Sequence, residues 1–169
     1  MRTLLWAGLV LAATFPGRSQ DVVINEIMFH PLQPAVGPEP LGEEYIELFN
    51  RGDAPVNLNG WRLDRGVAFT FPNVTLAGRG YLVVAASVSV FTNKYPGVTN
   101  VVGNWSGTLG NNGEQIRLVN AAGSTVNSVR YASEGDWAIR QRGPYDSGYR
   151  GWVWFAPADG LGRSLQLRA

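Results

Sequence analysis

Four carboxylates fall close together in the chain: Glu26, Glu43, Glu44 and Glu47. Two such groups brought together could act as acid and base on a glycosidic bond. Their oxygens could also gather a hard cation such as calcium. No Asp-x-Asp-x-Asp-Gly loop is present, which argues against a dedicated calcium site. Glu26 and Glu47 read instead as structural carboxylates that satisfy strand or loop donors, because buried carboxylates are normally hydrogen-bonded. His30 is the one histidine, so any Ser-His-Asp triad would rest on that ring. At a strand end beside Pro31 it is expected as exposed polar surface. Ser106 and Ser164 lack a Gly-x-Ser-x-Gly elbow. Gly60, Gly78, Gly80 and Gly113 lack the Gly-Lys-Ser or Gly-Lys-Thr of a phosphate loop. With no cysteine, thiolate metal sites, disulfides and a cysteine nucleophile are excluded. These residue patterns single out no catalytic residue, no metal ligand and no cofactor.

A second constellation lies near the carboxyl end, where Arg140 and Arg142 stand among Trp137, Tyr145, Tyr149, Trp152 and Trp154. Arginine with aromatics can stack on bases and clamp phosphates. The net charge of +1 argues against a protein that wraps a polyanion. Trp152 and Trp154, two apart on one strand face, are expected to pack inward, with Trp137 capping the core. Arg140, Arg142, Tyr145 and Tyr149 are the candidate binding residues, with solvation of the arginines against Asp136, Asp146 and Asp159 an equal alternative to ligand contact. The turns at Gly143-Pro144 and Asp146-Ser147-Gly148 are expected to hold Arg142, Tyr145 and Tyr149 outward.

These residues need a frame, and the composition describes one. The chain has 169 residues, 45% apolar and 16% charged, with 21 glycines and 10 prolines. That length suits one domain, and so much backbone punctuation favours short strands and turns over helices. Strands are expected at Asp21–His30, Glu44–Asn50, Val56–Asp64, Val67–Phe71, Tyr81–Ala86, Glu114–Val119, Thr125–Tyr131 and 163–168, with a short aromatic strand at Trp152–Phe155. Gly60 marks a kink. Ser89–Tyr95 could make one helical turn, and Gly110-Asn111-Asn112-Gly113 reads as a hairpin turn from a segment near Trp105. Residues 132–162 read as a long ordered loop. About nine strands at this spacing indicate an all-β sandwich or barrel over residues 20–169. Its closing strand would bury Leu165 and Leu167, and its removal is expected to unfold the domain.

Residues 1–19 read as a secretory signal: Arg2, then the apolar run Leu4–Phe15, then Gly17 and Ser19 before a cleavage site. The run is about 18 Å as a helix, short for a bilayer core of about 30 Å. No stable membrane span is expected once it is removed.

The order of motifs carries a family resemblance. It runs Ile24-Asn25-Glu26-Ile27, Glu44-Tyr45-Ile46-Glu47-Leu48-Phe49-Asn50, and Val56-Asn57-Leu58-Asn59-Gly60-Trp61. It continues through Phe71-Pro72, Leu76-Ala77-Gly78-Arg79-Gly80-Tyr81, the stretch from Leu109 to Val119, and Ser164-Leu165-Gln166-Leu167. The chain resembles the lamin tail domain, an immunoglobulin-like β-sandwich, in its bacterial secreted form. The resemblance implies a non-catalytic interaction or tethering module, secreted, periplasmic or on the cell surface, that binds a protein or cell-envelope component. It allows a module at the amino end of a larger surface protein. The alternatives are an accessory nucleic-acid-binding module of an extracellular nuclease and, more distantly, a carboxylate-dependent hydrolase. Trp61 then falls among the structural residues. The Trp137–Phe155 insertion and Gln166, where an acid is usual, depart from the family pattern.

Overall fold

The computed structural model describes residues 21–167; the expected signal segment lies outside them, as does the end of the expected closing strand. The strands are β1 (Val22–Met28), β2 (Tyr45–Asn50), β3 (Val56–Asn57), β4 (Arg62–Arg65), β5 (Phe69–Thr70), β6 (Thr75–Leu76) and β7 (Tyr81–Ala85). After helix α1 (Val88–Lys94) come β8 (Val101–Gly103), β9 (Gln115–Val119), β10 (Thr125–Arg130), β11 (Ile139–Asp146), β12 (Tyr149–Phe155) and β13 (Leu165–Gln166). One sheet has the order β13-β1-β2-β7-β8 and the other β10-β9-β4-β5. Their nine strands enclose one core in an immunoglobulin-like sandwich, as the strand spacing predicts. The pairs β3-β6 and β11-β12 form separate two-stranded ribbons.

The core follows from side-chain alternation, with one break. Ile46 and Leu48 of β2 point inward, and Tyr45, Glu47 and Phe49 are turned to the other face. In β1 the inward residues are Val22 and Ile24, then Ile27 and Phe29 just beyond it. The parity changes because the register shifts between Ile24 and Glu26, leaving Asn25 as an extra residue. The bulge lets an apolar run feed one core on both sides of two polar residues. From the facing sheet, Leu63, Ile116 and Leu118 complete the core, with Trp61 buried beside them. Phe29 and Tyr131 meet with ring centroids 4.7 Å apart.

β7 is apolar on both faces because both are covered. Leu82 and Val84 enter the main core, and Val83 and Ala85 pack beneath Phe91 of α1. Two turns of helix replace the single expected turn. The Ser87 side chain caps it, accepting from the Val90 amide at 3.4 Å. The helix connects β7 to β8, which pairs with β7 in parallel. The reading of Gly110–Gly113 is corrected. The segment near Trp105 pairs through Ser106 with Ala68, beside β5 and not with β9, so the turn closes no hairpin. The expected Val56–Asp64 strand is likewise divided, with a turn at Gly60, where φ is +73°.

At the other end, Asn50 is wholly buried and organises two turns. Its Nδ2 donates to the Ala54 and Ala77 carbonyls at 2.8 and 3.1 Å, and its Oδ1 accepts from the Gly52 amide at 3.0 Å. The Arg51-Gly52-Asp53 turn is thereby fastened to the turn before β7, and Asp53 accepts from Arg79 at 2.8 Å.

β13 is shorter than expected, pairing only Gln166 with Glu26 and Leu165 with Ile27. Leu165 is half-buried against the core, but Leu167 is 53% exposed. The expected burial of both leucines is therefore corrected. The strand ends at Gln166, and Leu167 keeps a backbone bond to Asn25 while its side chain stays in solvent. At the other half of the β1 edge, the Ile24 amide donates to Asn127 Oδ1 of β10 at 3.1 Å.

Two stability outcomes follow from this packing. Removing residues 164–169 should cost about 1–3 kcal/mol, from one half-buried leucine and a few ladder bonds, and leave a cooperative urea transition. Gly113→Ala should cost about 2 kcal/mol or more in the same measurement. Gly113 sits at φ +97°, and a Cβ there would fall 2.3 Å from the Tyr131 carbonyl oxygen.

Candidate functional site

The four sequence-neighbouring carboxylates do not converge. Glu26 and Glu47 face each other across β1 and β2, on the outside of the five-stranded sheet. The bulge puts Asn25 beside Glu47, whose Oε1 accepts from Asn25 Nδ2 at 2.8 Å. Glu26 Oε1 accepts from the Tyr45 and Ser164 hydroxyls, each at 2.5 Å. Burial raises the Glu47 carboxyl above its ordinary range; Asn25 lowers it, and the Glu26 charge raises it again. Burial, followed by the Glu26 bond, also raises the Tyr45 hydroxyl. This arrangement ties three strands together through side chains, since Ser164 immediately precedes β13.

Glu43 and Glu44 part company at a single peptide bond. Glu43 reaches out to Lys94 of α1. Glu44 turns inward, is 1% exposed, and accepts from the Leu109 amide at 3.0 Å through Oε2. Among the described residues its Oε1 accepts no hydrogen bond, nor do Glu39 Oε1 and Asn111 Oδ1. Burial pushes the Glu44 carboxyl from 4.5 up to about 7; the Leu109 amide opposes this, and the Glu39 and Glu114 charges add to it. Glu114 Oε1 accepts from the Gly110 amide at 2.7 Å and the Tyr131 hydroxyl at 3.2 Å. Among the described residues, no group of three or more Asp, Glu or His side chains is placed to hold a metal ion.

His30 is not the exposed polar surface expected. Its side chain is 20% exposed and bonds Asp159 Oδ1 through Nδ1 at 2.6 Å, with Nε2 3.9 Å from Glu39. The cause is the chain leaving β12. Residues Asp159 and Gly160 run back alongside His30, whose carbonyl accepts from the Gly160 amide at 3.2 Å.

The aromatic–arginine constellation is a β-hairpin, not a loop. β11 and β12 pair over Ile139–Asp146 and Tyr149–Phe155. Between them Ser147 and Gly148 take φ of +47° and +89°, the left-handed pair of a tight two-residue hairpin turn. Neither strand pairs with the sandwich, and every hairpin strand residue except Gly143 is exposed.

Trp152 and Trp154 are thus corrected from inward packing to exposure, at 52% and 45%. A ribbon with no sheet on either side has no interior to receive them. Trp137, in the turn before the hairpin, is also partly exposed and lines a cavity of about 220 Å³ with Ile24, Ile27, Val129 and Leu165. It covers the core margin without being buried in it.

Cross-strand pairing sets the two faces. Arg140 opposes Trp154, Arg142 opposes Trp152, and Tyr145 opposes Arg150 on one face. On the other, Ile139 opposes Phe155 and Gln141 opposes Val153, with Asp146 and Tyr149 at the tip. Arg140 and Arg142 do not pair with Asp136, Asp146 or Asp159. Their guanidinium carbons lie 4.7 and 4.5 Å from the Trp152 ring centroid, where the ring quadrupole attracts them. Tyr145 and Tyr149 reach 70% and 81% exposure, the outward orientation expected of them. Sequence reasoning missed Arg150, Ile139, Val153 and Phe155 as members of this surface. The signal was present: Asp146-Ser147-Gly148 directly before the aromatic run Tyr149–Phe155 is a hairpin-turn pattern.

A family model described as Lamin Tail Domain matches residues 16–133. The matched stretch ends before the hairpin. No curated protein matches the chain.

The Glu44 environment predicts a pH effect with a definite sign. The folded state holds this proton more tightly than the unfolded chain. Its stabilising contribution is therefore complete below about 4.5 and is lost as pH rises through about 7. Thermal melts across that window should show stability falling with pH. Glu44→Gln should flatten the fall, leaving only the same-signed part that Glu47 contributes. An unchanged slope in the variant would mean that Glu44 holds its proton no more tightly in the folded state than in the unfolded chain.

Proposed function

The chain belongs to the lamin tail domain family, whose members are immunoglobulin-like, typically non-catalytic interaction modules. From that premise we propose that it works as a secreted or cell-surface tethering module, binding a protein or cell-envelope component through the hairpin Ile139–Phe155. One observation carries this reading: a ribbon of arginine, tryptophan and tyrosine stands free of the sandwich with nearly all its side chains exposed. Those residue types dominate binding energy at interfaces. A rigid scaffold that presents such a segment gives it a site without disturbing the core.

The alternative of a nucleic-acid-binding accessory module gains from Arg140, Arg142 and Arg150 sharing one face. It loses from Trp152, whose ring is already stacked by guanidinium groups and is less open to a base. The hydrolase alternative has no support from the carboxylates, which are split between the outer sheet face and the buried side.

The test is capture from an envelope fraction of the source cells. The double variant Arg142→Ala/Tyr145→Ala should lose partners by roughly tenfold or more. Its melting temperature should stay close to that of the parent, because exposed side chains contribute little to stability. Equal capture by both proteins would move the interface elsewhere.

A further inference from the structure

The hairpin has features that narrow its partner. Apolar side chains are exposed on both of its faces: Trp152 and Trp154 on one, Ile139, Val153 and Phe155 on the other. A groove or flat protein patch covers one face of a ribbon and leaves the opposite one wet. A lipid interface surrounds a ribbon and covers both. The charge is one-sided. Arg140, Arg142 and Arg150 lie on the tryptophan face, and none pairs with a carboxylate among the described residues. The one acidic residue of the two strands, Asp146, is on the opposite face at the tip, bonded to Ser147. Such a surface calls for an anionic partner. Arginine on a tryptophan ring is also a less hydrated cation, held with its apolar neighbour at one depth. Tryptophan and tyrosine rings settle at the headgroup level of a bilayer, where one side of the ring is apolar and the other wet.

We propose that the hairpin Ile139–Phe155 lies in the interface of an anionic lipid bilayer, its arginines on lipid phosphates and its aromatic rings among the headgroups. This rests on the reading of the hairpin as the contact surface and names the partner as a membrane. It needs no spanning segment, and no described helix is long and apolar enough to cross a bilayer.

The test uses the chain from Asp21 onward, because both sheets and the core cluster are built from residues within 22–166 and the apolar run before them would bind lipid by itself. Co-sedimentation compares vesicles of phosphatidylcholine with vesicles that also contain phosphatidylglycerol. Binding is expected to the anionic vesicles, with a blue shift of tryptophan emission. Each of Arg140→Gln, Arg142→Gln and Arg150→Gln should weaken it about fivefold. Trp154→Ala should also weaken it, and circular dichroism should show every variant folded. Equal binding by parent and arginine variants, or no binding to anionic vesicles, overturns the inference. Tighter binding to a DNA oligonucleotide than to the vesicles overturns it in favour of nucleic acid. If vesicles fail but Arg142→Ala/Tyr145→Ala still loses envelope capture, the hairpin remains the contact surface and its partner is a protein.

Discussion

The change of parity in β1 is the constraint on which the rest of this sandwich depends. A regular strand from Val22 to Phe29 would send Val22, Ile24, Glu26 and Met28 to one face. The bulge at Asn25 keeps Val22 and Ile24 in the core and then hands the position to Ile27 and Phe29. It places Glu26 opposite Glu47 on the outer face and brings Asn25 within reach of Glu47. The same residue fixes the closing segment, since the Leu167 amide donates to the Asn25 carbonyl at 2.8 Å. One additional residue therefore sets the core, the outer polar cluster and the attachment of the last strand.

Charge is managed differently on the two sides. Outside, the Glu26–Glu47 pair is tolerable because each carboxylate accepts from neutral donors on neighbouring strands. Inside, Glu44 has one bonded oxygen and one that accepts no hydrogen bond among the described residues, and its answer to burial is to keep a proton to higher pH. That Glu43 and Glu44, adjacent in sequence, end in an ion pair and a buried environment shows why a run of acids says little about a shared site. The short helical turn at Leu41–Glu43 ends between them, and extended backbone begins at Glu44.

The fold was readable because its apolar alternation is strong where it matters, in Ile46 and Leu48 and through the wholly apolar β7. The family motifs confirmed the order. Three features escaped for physical reasons. Gly110–Gly113 has hairpin residues, but local turn chemistry does not say that the segment before it pairs with Ala68 and not with the strand after it. Trp152 and Trp154 alternate as core residues would, and alternation states that two side chains share a face without stating whether anything covers it. His30 has no local partner in the sequence, since Asp159 returns to it from 129 residues further along. The candidate surface was half readable. Tyr145 and Tyr149 point outward as expected, while Arg150, Ile139, Val153 and Phe155 gain meaning only from the hairpin register.

The bond from the Ile24 amide to Asn127 has a further consequence, for self-association. β13 covers only the second half of the outer edge of β1, and an edge with free amides is a template for a strand from another molecule. At Ile24 that amide is already engaged by a side chain from the opposite sheet. Asn127 stands in for a neighbouring strand at one rung of the ladder, satisfying the donor without offering a continuous backbone on which pairing could extend. The sheet is stopped there by a side chain, so a two-residue closing strand can serve where a longer one would otherwise be needed to prevent fibrous growth.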